Sequence, residues 1–206
     1  MTKFMRVISA LFHPLLIPTY LFGVFIKFHP VVLSPYSPSA YLWLWIVVLV
    51  TTFVIPAISM TFLKLTKNIP DFKLYDRKDR VLPFVFITFF YGVTSYMFLF
   101  KMNMGLQVGV MMISTTLLIG LLTVITFTYK ISIHSAGIWG AVGILMAHSM
   151  ISTEHELVVP LVLAVVAAGV VNAARLFLNA HSPKQVLYGS LLGFMVCYLG
   201  IMFFGS

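Results

Sequence analysis

Seven long apolar runs constrain this chain more than any other feature. They fall at roughly 7–28, 41–63, 82–100, 107–128, 135–152, 157–179 and 186–205. A helix needs ~20 such residues to cross ~30 Å of hydrocarbon, and each run is close to that length. The runs are continuous and do not alternate with polar residues, which argues against a transmembrane barrel. Seven spans and short connections consume the 206 residues and leave no room for a soluble domain. The expected architecture is all-α: one polytopic transmembrane helical bundle over 1–206, with about 6–7 spans. Composition agrees. The chain is 61% hydrophobic and 9% charged, too little polar surface to coat a water-soluble core. The first run mimics a secretory signal, but His13-Pro14 and Pro18 interrupt it and no small-residue cleavage site follows, so a retained first helix is expected.

A formal charge of +8 raises the question of nucleic acid. The cations sit in short loops between apolar runs and form no basic domain, which excludes that partner. Counted by alternate loops, one face carries Lys3, Arg6, Lys64, Lys67, Lys73, Arg77, Lys78, Arg80, Lys130, Arg175 and Lys184, whereas the other carries Lys27 and Lys101 with Glu154 and Glu156. Cations concentrate in cytoplasmic loops, so the count puts the N-terminus in the cytoplasm. The expected location is a bacterial inner membrane. Cations placed to bind an anion should not vote on topology, and the compartment that the charged face meets stays open. Cys197 stands alone inside the last run, so no intramolecular disulfide is possible. Gly189-x3-Gly193 and Gly169-x3-Ala173 place small residues at the spacing that lets helices approach closely.

Three loops of the cation-rich face, at about 64–81, 129–134 and 175–189, hold the residues able to do chemistry. Two spans separate each loop from the next, so all three emerge on the same side. A phosphate ester at a membrane surface needs fixed donors around its oxygens, for which the planar fork of Arg is well suited. It also needs a nucleophile or activated water in line with the leaving oxygen, and an acid for the leaving group. Lys73, Arg80, Ser132 and Arg175 supply donors, and His134 and His181 supply two imidazoles. Arg77 is a further candidate phosphate ligand, set against a reading as a lipid-headgroup or topology-setting cation.

The spacings resemble those of the type 2 phosphatidic acid phosphatase superfamily, whose motifs run K-x6-R-P, P-S-x-H and S-R-x5-H-x3-D. Lys73-x6-Arg80 matches the first without its Pro, Ser132-x-His134 the second with Ile131 for Pro, and Arg175-x5-His181 the third with Ala174 for Ser and Gln185 for Asp. The tail from His181 through Gln185 to Gly189 is similar to the dolichyl-diphosphatase branch, which also carries Gln there. The resemblance runs from Lys73 to the C-terminus. It implies that His181 attacks phosphorus to form a phosphohistidine and His134 protonates the leaving alcohol. Gln185 would orient His181, while Lys73, Arg80, Ser132 and Arg175 would hold the phosphate with no metal or other cofactor. Two runs separate the first and second motifs here, whereas the family usually has six spans and keeps those motifs in one loop. Gln185 can accept a hydrogen bond from the imidazole but brings no negative charge.

The expected function is therefore an integral-membrane, metal-independent lipid phosphatase acting on a polyprenyl diphosphate or a glycerolipid phosphate. The expected partners are that substrate and the surrounding membrane lipids, and the sequence gives no oligomeric state. Two alternatives stand beside it: a lipid phosphotransferase using the same site, and a non-catalytic lipid-phosphate binder or transporter. Lys130 and Lys184 read as interfacial. His13, His29, His148 and His155 lack convergent partners in the sequence and read as structural or interfacial. His134 and His181 have no thiolate or acidic cluster at ligand spacing, so no metal site is expected.

Overall fold

The computed structural model describes residues 1–71, 76–152 and 155–205. Among them the chain is helical, and each apolar run becomes a rod. Six rods are long and apolar enough to cross a membrane: Thr2–Phe28, Pro38–Leu65, Lys78–Lys101, Gly105–Thr126, His155–Phe177 and Pro183–Phe204. The chain is accordingly an all-α bundle with the architecture of an integral membrane protein.

Within these rods the α-helices are α1 (Thr2–Leu11), α2 (Ile17–Phe28), α3 (Tyr41–Leu49), α4 (Ile55–Leu65), α5 (Lys78–Tyr96), α6 (Gly105–Thr126), α7 (Ile133–Ile151), α8 (Val158–Phe177) and α9 (Pro183–Phe204). A wide π-helical stretch, Val50–Val54, joins α3 to α4 ahead of Pro56, and a second, Met97–Lys101, extends α5. Helix α7, the seventh rod, falls outside that set of six and lies at the centre, packed against α2, α6, α8 and α9. Its burial explains the tolerance for Ser and His. Ser135 and His148 face protein, where only a helix touching lipid would have to be uniformly apolar.

The first run is not one helix. His13 precedes Pro14 and adopts an extended conformation (φ −63°, ψ 133°), as steric conflict with a following proline ring favours. The run splits there, with α1 packed against α8 and α2 against α3 and α7. The break also redirects backbone bonds. The His13 N–H donates to the Ala10 carbonyl, not to that of Ser9, so the Ser9 carbonyl is left for another donor.

Helices α7 and α9 make the closest contact in the bundle, and glycine permits it. A Cβ on Gly193 would lie 2.1 Å from the Ala136 carbonyl oxygen, and one on Gly189 would lie 2.5 Å from that of Ser132. The Ser132 N–H also donates to the Gln185 carbonyl at 3.2 Å, fastening the start of α7 to the first turn of α9. Gly169 faces open space, so the other small-residue pair mediates no such approach. Composition alone could not separate the two pairs.

Candidate active site

The site is built at helix ends. Helices α5, α7 and α9 begin at this face, and each helix start carries partial positive charge from its unpaired N–H groups. Ser132 caps α7, its Oγ accepting from the Ser135 N–H at 3.4 Å and lying 2.8 Å from Ser135 Oγ. Ser182 caps α9, with Pro183 following at the position where a missing N–H costs nothing.

Helix α8 ends in a turn that delivers His181. The Ala180 N–H donates to the Arg175 carbonyl and the Asn179 N–H to that of Leu176, with Asn179 left-handed at φ 48°. This is the Schellman pattern, in which the reversing residue is usually Gly and sometimes Asn. The six-residue spacing between Arg175 and His181 is thus the span of one helix-terminating turn, which folds the histidine back toward the arginine.

Gln185 then fixes the histidine's chemistry. Its Oε1 accepts from the Ser182 N–H at 3.2 Å, closing a capping box with Ser182 Oγ. A backbone N–H only donates, so the atom facing it is the amide oxygen. The same oxygen lies 3.0 Å from His181 Nδ1. That nitrogen must therefore be the donor, and the lone pair of the neutral ring sits on Nε2. His181 is 7% exposed. Burial is the main cause that drives its pKa down to about 4, and Arg175, Arg80 and Lys130 add repulsion, while the hydrogen bond to Gln185 works the other way.

His181 lines a cleft of about 310 Å³ with His13, His134, Arg80 and Arg175, over an apolar wall that includes Phe53, Met60 and Phe84. Arg80, at the start of α5, is nearly buried. Arg175 donates from Nη1 to Ser9 Oγ at 3.4 Å, so α1 helps to set its direction. Lys130, in the loop before α7, belongs to the same field. Burial lowers its pKa first, and Arg80 and Arg175 lower it further against the opposing pull of Asp76. Convergent arginines, a lysine and helix starts make the cleft a place for an anion. Among the described residues, no three His, Cys, Asp or Glu side chains gather where they could hold a metal ion.

Four of the residues picked from the sequence thus meet at one cleft: Arg80, His134, Arg175 and His181. Gln185 stands directly behind His181. Ser132 is fully buried and serves as a helix cap and a link to α9, and it is not part of the cleft lining. Arg77 likewise does not line the cleft, and its guanidinium donates to the Phe127 carbonyl just past α6. Lys73 lies outside the described residues. His134 donates from Nε2 to the freed Ser9 carbonyl at 3.2 Å, and its Nδ1 is buried with no hydrogen-bond partner among the described residues. Sequence reasoning missed His13 and Ser9. The one available signal was the His-Pro step, which marks a helix break without showing which way the broken segment turns.

Comparison with known protein families, with characterised proteins and with solved structures finds no match to this chain.

Proposed function

We propose that this chain is an integral-membrane lipid phosphatase working through a phosphohistidine at His181, on a polyprenyl diphosphate or a glycerolipid phosphate. One observation carries the reading. A histidine with its Nε2 lone pair fixed by Gln185 lines a cationic cleft beside two arginines. The lone pair of His181 is thereby left available to a group bound between Arg80 and Arg175, whose positive charge favours an anion there. The resemblance in motif spacing described above agrees with this geometry.

In the proposed reaction Arg80 and Arg175 hold the phosphoryl oxygens, and the chain's own cations offset the charge there. Nε2 of His181 attacks phosphorus, the bond to the leaving oxygen breaks, and its electron pair departs with that oxygen. Nδ1–H stays on Gln185 as the ring becomes cationic. Water then cleaves the phosphohistidine and releases phosphate. A lipid fits because the cleft is walled by apolar side chains of α4 and α5, which belong to the rods Pro38–Leu65 and Lys78–Lys101, both long and apolar enough to cross a membrane. The neutral Gln185 gives weaker support to an imidazolium than a carboxylate does, and this favours a non-catalytic phosphate-binding role as the second reading.

Purified protein in detergent should release phosphate from at least one of phosphatidate, phosphatidylglycerophosphate or a polyprenyl diphosphate, and His181→Ala should abolish it. Tight lipid binding without turnover across that panel would replace the first reading with the second. A phosphorylated alcohol in place of free phosphate would mark a phosphotransferase.

A further inference from the structure

Beneath the cationic cleft lies a second, smaller cavity of about 90 Å³, almost wholly apolar, which reaches Tyr91, Ile144 and Cys197. Among the described residues, five line both spaces: His13, Leu15, Phe84, Ile87 and Ile133. Four are hydrocarbon. His13 is the only one with a polar side chain, so a single donor stands where the anion site meets the apolar space.

In a phosphorylated lipid that boundary has a chemical counterpart. The phosphoryl group belongs between Arg80, Arg175 and His181, and the hydrocarbon belongs in the apolar space. The atom between them is the ester oxygen, which leaves in the reaction. Resting on the phosphatase reading above, we propose that His13 donates a hydrogen bond from Nε2–H to this leaving oxygen, as a third functional histidine of the cleft.

The backbone prepares His13 for that task. Its Nδ1 accepts from the Leu15 N–H at 3.3 Å, as the cap of the short turn Pro14–Leu16. An accepting Nδ1 places the ring proton on Nε2, the opposite tautomer from that of His181. His134 is its near neighbour, the two rings edge to face with centroids 5.6 Å apart. Yet His134 holds its own Nε2–H on the Ser9 carbonyl, so of these two neighbours His13 is the one whose donor has no backbone acceptor among the described residues. A neutral imidazole can polarise an oxygen that gains negative charge without itself becoming cationic.

Attack by His181 Nε2 forms the N–P bond, and the P–O electron pair collapses onto the ester oxygen held by His13. That alkoxide takes a proton from water and leaves as the alcohol. The hydroxide produced attacks the phosphohistidine, releasing hydrogen phosphate and restoring neutral His181.

The test compares the native protein, His13→Asn and His181→Ala on two phosphate monoesters, a long-chain alkyl phosphate and an aryl phosphate such as p-nitrophenyl phosphate. Asn is a favoured helix cap and can keep the bond from the Leu15 N–H, so His13→Asn should fold. An aryl oxide leaves readily unaided, whereas an alkoxide does not. The expected result for His13→Asn is a loss of about 10²-fold in kcat on the alkyl ester, with the aryl ester changed by less than about threefold. His181→Ala should lose both activities. Equal losses on the two esters, or no loss on either, would overturn the role of His13 while leaving the phosphatase reading intact. Unchanged turnover in His181→Ala, or no turnover by the native protein on these esters and on the lipid panel alike, would instead overturn the phosphatase reading, and the role of His13 with it.

Discussion

Gln185 Oε1 lies 3.0 Å from Nδ1 of His181 and 3.2 Å from the backbone nitrogen of Ser182, so one oxygen both caps a helix and sets the tautomer of the proposed nucleophile. Two functions that are usually separate are joined in a single side chain. The consequence is that changes at Gln185 split cleanly by chemistry.

Gln185→Glu keeps an acceptor for both donors and adds a negative charge. It should preserve the helix start, raise the pKa of His181 and move the acid limb of kcat/KM to higher pH relative to the native protein. Gln185→Leu removes the acceptor. It should cost about 1 kcal/mol of stability through the lost cap and on the order of 10²-fold or more in kcat through loss of tautomer control. Parallel pH–rate profiles of the three proteins decide the matter, because the substrate's own ionisation is common to all.

Protonation of His181 links stability to pH. Its pKa is pushed down to about 4 in the folded protein, below the ordinary 6.5. Between those values the unfolded chain binds a proton that the folded chain refuses, so stability falls as pH drops from 6.5 toward 4 and this contribution levels off below. The slope from this group approaches roughly 1.4 kcal/mol per pH unit within that window. Thermal unfolding in detergent should show the decline in the native protein and a shallower one in His181→Asn. Identical slopes would mean that His181 is not held neutral.

Gly193→Ala tests the α7–α9 contact on which the site rests. The added methyl group would meet the Ala136 carbonyl at 2.1 Å, where backbone must move. A cost of about 1–3 kcal/mol is expected, along with lower activity, since His134 and His181 sit at the starts of the two helices pushed apart. Gly169→Ala, facing open space, should be near neutral in both respects. Melting temperature and phosphate release measured on the pair would separate tight packing from mere small-residue composition.

The bundle was legible because run length reports bilayer thickness directly. The convergence of Arg80, His134, Arg175 and His181 was legible from parity, since two spans between successive loops return the chain to the same face. The His181–Gln185 pair was legible only through the resemblance in motif spacing, whose third motif carries an orienting residue four positions after the histidine. Other features depend on contacts between residues distant in sequence. Ser9 meets His134 across 125 positions and Arg175 across 166, and no local pattern announces either. Nor does residue type reveal that Ser132 is turned inward as a cap or that Arg77 reaches the Phe127 carbonyl. His13 reads as a solitary histidine until the break at Pro14 is folded.

Trapping the covalent intermediate tests the role of His181 most directly. The protein would be incubated with a lipid phosphate labelled in the transferred phosphoryl group, quenched with base, and mapped by peptide. An acid-labile, base-stable phosphoryl group on His181, absent from His181→Ala, is the expected result. Release of labelled phosphate at the native rate by His181→Ala, or a label on any other residue, would contradict it.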